Sequence, residues 1–105
     1  MDLGLRGKTA IITGGARGIG AGISEVLAQE GANLVINYHS APEECEAFAH
    51  SMEEKYGIKS IAVQADIRYQ EEIDKVFNKA IEIFGGVDLL VNNAGVMGCL
   101  LYTSD

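Results

Sequence analysis

The sequence predicts an α/β fold: a doubly wound parallel sheet, cut off after about four strands, with helices on its faces. Three observations predict it. Four short apolar runs alternate with three longer stretches whose apolar residues recur at helical spacing. The runs are almost continuously apolar, which suits strands covered on both sides rather than on one. The first run also ends in a cluster of glycines that leads directly into the first helical pattern. Parallel strands joined by right-handed crossovers then take the order 3-2-1-4.

Each element has its own signal. Lys8 to Thr13 forms the first strand, and Thr13-Gly-Gly-Ala-Arg-Gly-Ile-Gly20 turns the chain into a helix. In that helix Ile19, Ile23, Val26 and Leu27 share one face, and Gly31 closes it in a left-handed cap. Asn33 to Tyr38 is the second strand. Pro42 suits the first turn of the second helix, which buries Cys45, Phe48, Ala49, Met52 and Tyr56 and ends at Gly57. Ser60 to Ala65 is the third strand. Ile73, Val76, Phe77, Ala80, Ile81 and Phe84 line the third helix, which stops at Gly85-Gly86 before the fourth strand, Val87 to Asn92.

Acidic residues gather where the second and third helices begin: Glu43, Glu44 and Glu46 in one, Glu71, Glu72 and Asp74 in the other. The positive end of a helix dipole favours them there, so they are structural. The fourth strand is an edge of the predicted sheet and leaves apolar surface uncovered.

With 105 residues, 48% of them hydrophobic, the chain holds one domain at most, smaller than the usual catalytic α/β unit. A net charge of -7 without a basic cluster argues against nucleic acid or an anionic membrane as partner. No apolar run approaches the roughly 20 residues that span a bilayer, and the start is unlike a signal peptide; the expectation is a cytoplasmic protein. Cys45 reads as a small core residue, and no spacing of Cys and His suggests a disulfide or a metal site. His50, beside Glu46 and Glu54, reads as a surface residue.

The glycine turn carries the chemistry. A helix N-terminus presents unpaired N–H groups and a positive dipole end, and glycines let a pyrophosphate approach the main chain without meeting a β-carbon. Gly14 permits the turn, Gly18 the close approach, and Gly20 the packing of helix on sheet. The spacing Gly-x-x-x-Gly-x-Gly departs from the commoner Gly-x-Gly-x-x-Gly, and it lacks the Gly-Lys-Ser/Thr ending of a phosphate-binding P-loop. A tight turn without a ligand is the alternative.

Together with Ala65-Asp66-Ile67 after the third strand and Asn92-Asn93-Ala94-Gly95 after the fourth, the turn closely resembles that of the short-chain dehydrogenase/reductase family. The resemblance covers residues 5–97, the N-terminal cofactor half of that family, and implies a Rossmann-type dinucleotide-binding fold. It implies that Gly14, Gly15, Ala16, Arg17, Gly18, Ile19 and Gly20 hold the cofactor pyrophosphate. Asp66 would contact the adenine amino group, with Ile67 beside the ring, although a helix cap is the other role open to Asp66. Asn93, Ala94 and Gly95 would lie along the adenosine ribose, and Asn92 would brace the sheet.

An NAD-selective fold places a carboxylate at the end of the second strand, where it meets the ribose 2′-hydroxyl. That region here reads Asn37-Tyr38-His39-Ser40, with no acid before Glu43. Arg17 sits where NADP-type members carry a base for the 2′-phosphate, which a guanidinium grips with paired donors. NADP(H) is therefore expected over NAD. Tyr38, His39 and Ser40 stand near the same phosphate; solvated roles for Arg17 and His39 are the alternatives.

The resemblance implies hydride transfer between nicotinamide and a carbonyl or secondary alcohol, as in ketoacyl-thioester reductases and sugar dehydrogenases, by a homotetramer. The family's catalytic tyrosine is followed four residues on by lysine, and none of Tyr38, Tyr56, Tyr69 and Tyr102 is. No catalytic residue is assigned, and this stretch alone is expected to be inactive. The codons TGT CTC TTA TAC ACA TCT GAC can encode Cys99 to Asp105 and resemble a transposon-derived sequencing adapter. The expectation is a partial dinucleotide-binding domain over 1–98 and a non-native tail over 99–105, with a natural loop as the alternative. A non-catalytic dinucleotide-binding or redox-sensing module is the rival function.

Overall fold

The computed structural model describes residues 4–93. β1 (Thr9–Thr13), α1 (Gly18–Gln29), β2 (Asn33–Tyr38), α2 (Pro42–Tyr56), β3 (Ser60–Gln64), α3 (Gln70–Phe84) and β4 (Leu89–Asn92) follow one another along the chain. The strands form one parallel sheet in the order β3-β2-β1-β4, as expected. Strand ends differ from the sequence reading by a residue or two: β1 starts at Thr9, β3 stops at Gln64 and β4 starts at Leu89. Hydrogen-bond ladders decide where a strand ends, and apolar runs mark it only to within about two to four residues.

Alternation along the strands sorts the core into two layers. Ala10, Ile12, Leu34 and Ile36 point to the face covered by α1 and α2, where they pack with Leu27, Ala28, Ala49 and Met52. Ile11 and Val35 point to the other face and meet Val76 and Ala80 of α3. Every residue of β1 is buried, whereas Leu89 and Leu90 of the edge strand β4 are 37% and 48% exposed. Full coverage of both faces therefore describes the two central strands and not β4.

The helix ends follow their sequence signals. Pro42 opens α2, Gly57 and Gly85 cap α2 and α3 in the left-handed conformation, and Gly31 takes φ +91 just past α1. One reading is corrected. Ile19 and Val26 were expected on the inward face of α1 but are 67% and 52% exposed. The inward stripe is Gly20, Ser24, Leu27 and Ala28 instead, because Gly20 faces the turn before the helix and fixes its rotation. Ile81, read as part of the inward face of α3, is also half-exposed. Among the described residues no helix is long and apolar enough to cross a membrane.

Candidate functional site

The register aligns the carboxyl ends of the strands: Thr13 lies beside Asn37 on one side and Asn92 on the other, with Val63 beyond Asn37. The segments after all four strands therefore gather at one edge of the sheet, at the point where the winding reverses between β1 and β4. Open α/β sheets bind their ligands at such a point.

The glycine turn is held there from below. The Gly14 and Gly15 N–H groups donate to the Asn37 carbonyl at 3.0 and 3.4 Å. The buried Ser24 hydroxyl donates to the Gly15 carbonyl at 2.9 Å, and the Asn93 side-chain amide donates to the Gly14 carbonyl at 3.2 Å. Thr13 links the turn to β4: its hydroxyl lies 3.1 Å from Asn92 Oδ1 and accepts the Asn93 N–H at 2.8 Å. Asn92 thus braces the sheet as read, while Asn93 spends both its N–H and its side chain on the turn and its neighbouring strand.

The upper side of the turn is bare. Among the described residues the N–H groups of Gly18, Ile19 and Gly20 have no partner, and neither a side-chain cap nor an acidic residue serves the first turn of α1. In α2 and α3 acidic residues occupy that first turn. Gly18 sits at φ +51, and a β-carbon there would meet nothing within 4 Å. Free amides, the positive end of a twelve-residue helix and open space suit an anion approaching the main chain.

Gly20 faces the opposite way. A β-carbon on it would run into the Gly14 carbonyl oxygen and come within 2.6 Å of Asn93 Nδ2. Its packing role is against the turn itself, more specific than the helix-on-sheet packing expected from the sequence.

At the end of β2, Asn37 is buried, and its amide nitrogen lies 3.2 Å from the Ala65 carbonyl oxygen. It is committed to joining β2 and β3. Tyr38 follows, half-buried, and partial burial raises its phenol above the usual value, with Glu46 adding to the effect. His39 and Ser40 are exposed. Arg17 is exposed too, and its Nε donates to Glu44 Oε2 at 2.8 Å.

A cleft of about 660 Å³ runs from Gly14 past Tyr38, His39, Asp66 and Ile67 to Phe77 and Leu90. Asp66 is not a helix cap: Tyr69 precedes α3, and the Asp66 carboxylate turns to Arg68 instead. Oδ1 accepts from the Arg68 N–H at 3.1 Å and from its Nε at 3.0 Å, and Oδ2 accepts from Nη2 at 2.6 Å. His39 Nε2 stands 3.7 Å from Oδ2.

Those bonds, with the Arg68 charge behind them, pull the Asp66 carboxyl down from 3.8 to about 2, against the opposing effect of partial burial. A depressed carboxylate stabilises the fold fully above its unfolded value and loses that contribution as pH falls through the folded one. Asp66 should therefore remain ionised at pH 3, and its share of stability should vanish between about pH 4 and pH 2. An NMR titration of the Asp66 carboxyl checks this; a midpoint near 3.8 would refute it.

The structure brings together Gly14 to Gly20, Tyr38, His39, Asp66, Ile67 and Asn93 at one edge. Ala94 and Gly95, like Cys99, Tyr102 and the tail, lie outside the described residues. Sequence reasoning missed Ser24, whose only signal was a polar residue at an inward helical position, and Arg68, whose signal was its place two residues after Asp66. No group of three or more His, Cys, Asp or Glu among the described residues could hold a metal.

The strand order and the glycine turn after β1 define a Rossmann-type α/β unit. Residues 8–104 match the short chain dehydrogenase family, and the chain belongs to it. It is 40% identical over 94 residues to glucose 1-dehydrogenase 2 of Bacillus subtilis (strain 168), covering 90% of this chain and 36% of that protein. It is 39% identical over 89 residues to a 3-oxoacyl-acyl-carrier-protein reductase of Staphylococcus epidermidis, covering 85% and 36%. Among solved structures, L-sorbose reductase from Gluconobacter frateurii, complexed with NADPH and L-sorbose, superposes with a TM-score of 0.85 at 41% identity, covering 90% and 36%. The chain therefore spans about a third of the length of the relatives it matches.

Proposed function

We propose that this chain, over residues 1–98, is the cofactor-binding half of an NADP(H)-dependent oxidoreductase that moves hydride to or from a carbonyl or secondary alcohol. The observation that carries the reading is the bare corner at the head of α1, where among the described residues three successive amides have no partner while the Gly14 and Gly15 carbonyls beneath them are engaged. An anionic diphosphate fits that corner in charge and in shape. Gly14 to Gly20 would hold it. Asp66 and Ile67 would take the adenine, Asn93, Ala94 and Gly95 the ribose, and Arg17 the 2′-phosphate, flanked by Tyr38, His39 and Ser40.

NADP(H) is favoured over NAD because β2 ends without a carboxylate aimed at the ribose: Asn37 is buried and committed to β3, and the residues after it are uncharged or basic. The NADPH in the L-sorbose reductase complex is in keeping with that choice. Ketoacyl-thioesters and sugars are the substrate classes drawn from the relatives, and a homotetramer in the cytoplasm is the assembly and location proposed with them. When bound, the cofactor supplies the hydride; the residues described here bind and orient its adenosine end.

Fluorescence titration of the full-length protein with NADPH and NADH, followed by oxidation of NADPH with a panel of ketones and ketoses, tests the proposal. Tight NADPH binding with turnover is expected. Binding without turnover of any carbonyl would favour a redox-sensing module, and failure to bind either dinucleotide would remove the assignment.

A further inference from the structure

We propose that Arg68 is a positioning residue for the adenine end of the cofactor, acting on it through Asp66. The inference rests on the reading that Asp66 meets the adenine amino group. A carboxylate offers about four lone-pair sites, two on each oxygen. Arg68 fills both on Oδ1, with its main-chain N–H at 3.1 Å and its Nε at 3.0 Å. On Oδ2 it places Nη2 at 2.6 Å, while the second leg of Nε is longer, at 3.2 Å. His39 at 3.7 Å is beyond hydrogen-bond reach of that oxygen. Nε carries one hydrogen shared between the two oxygens, and its longer leg, at Oδ2, is the weakest of the four contacts and the one an incoming donor would displace. Oδ2 belongs to a side chain that lines the cleft together with Ile67.

Arg68 and Asp66 are themselves constrained. The Asp66 N–H donates to Glu72 Oε1 at 3.1 Å, which ties the main chain to the first turn of α3. The Arg68 guanidinium carbon lies 5.6 Å from the centre of the Tyr69 ring. An acceptor fixed at both main chain and carboxylate meets a donor without first losing rotational freedom, and the advantage appears as affinity. Without Arg68 the carboxylate would sample its rotamers and turn either oxygen to the cleft.

The test compares NADPH with its hypoxanthine counterpart, in which an oxo group replaces the adenine amino group. The full-length protein is used as wild type and as Arg68→Met, Arg68→Lys and Asp66→Asn, with thermal unfolding as the check on folding. Wild type should bind NADPH about tenfold more tightly than the hypoxanthine compound, the discrimination typical of one hydrogen bond to a charged group. Arg68→Met should reduce that ratio to about threefold or less by weakening NADPH alone, with Arg68→Lys between the two. A ratio unchanged in Arg68→Met, or equal weakening of both compounds, overturns the positioning role while leaving Asp66 on the adenine. No preference in either wild type or Asp66→Asn removes the adenine reading and the proposal with it. Should Arg68→Met fail to fold, a full wild-type ratio in Arg68→Lys, which keeps the charge but loses the paired donors, overturns the proposal.

Discussion

Alanine at position 20 is expected to cost about 2–3 kcal/mol of stability, while alanine at position 22 of the same helix is expected to add about 0.5–1 kcal/mol. Both substitutions replace glycine in α1 with a better helix former, so propensity alone predicts the same sign for each. Packing separates them. The β-carbon at Gly22 meets nothing within 4 Å, whereas at Gly20 it collides with the Gly14 carbonyl oxygen and approaches Asn93 Nδ2 to 2.6 Å. The Gly14 carbonyl is main chain and cannot swing aside as the end of a long side chain would. It can retreat only by moving the turn, which would strain the bonds from Asn93 and from Gly14 and Gly15 to Asn37. Overpacking typically costs about 1–3 kcal/mol and occasionally more, and a site that must shift main chain falls at or above the top of that range, so about 2–3 kcal/mol of loss remains after the helix gain of at most about 1 kcal/mol.

For a domain of this size each kcal/mol moves the melting temperature by about 4–8 °C. Gly20→Ala should therefore melt about 10 °C or more below wild type, and Gly22→Ala slightly above it. The dinucleotide affinity should follow the turn and not the helix, falling in Gly20→Ala and holding in Gly22→Ala. Equal melting temperatures for the two variants would show that Gly20 is not in contact with the turn.

The same contact explains where the sequence was legible and where it was not. Strand order, helix ends and the bare glycine turn after β1 rest on local signals: continuous apolar runs, Pro42 at a helix start, Gly57 and Gly85 at helix ends, and glycines after β1. The rotation of α1 was misread because periodicity counts apolar side chains, and the two residues that fix this helix, Gly20 and Ser24, are not apolar. Their inward positions come from contacts with Gly14 and Gly15, which a hydrophobic pattern does not record. In α3 the stripe was read correctly at Val76 and Ala80, where burial is by apolar packing alone, and too broadly at Ile81.

The site shows a similar division. Gly14 and Gly18 both adopt positive φ, a main-chain property that glycine signals directly in the sequence. The surroundings of Asp66 depend on which side chain of the following loop turns back, and no spacing rule indicates that Arg68 does so. Asn37 illustrates the opposite case. Its place at the end of β2 is evident from the sequence, but only the bond to Ala65 shows that it faces into the sheet rather than toward a ribose.

Loss of the guanidinium at position 17 is expected to raise the Kd for NADPH about 10–100-fold and to leave NADH nearly unchanged. Arg17 now pairs with Glu44 through Nε at 2.8 Å, with both side chains 61% exposed. An exposed ion pair of this kind is worth about 0–1 kcal/mol and is screened by salt. Paired, charge-assisted bonds to a phosphate contribute about 1.5–3 kcal/mol, so the phosphate wins any competition for the guanidinium. Competition is also incomplete, because Glu44 engages Nε and leaves the two terminal amino groups as donors.

The contribution of about 1.5–3 kcal/mol converts to roughly 10–100-fold in affinity, and it applies only to the dinucleotide that carries the extra phosphate. Arg17→Lys should fall between wild type and Arg17→Ala, since an ammonium keeps the charge without the planar pair of donors. Arg17→Glu should weaken NADPH further and reverse the preference toward NADH. Titration of each variant with both dinucleotides at low and high salt measures the effect. Equal losses for NADPH and NADH would place Arg17 on the shared diphosphate instead of the 2′-phosphate, and the argument for NADP(H) would then rest on the end of β2 alone.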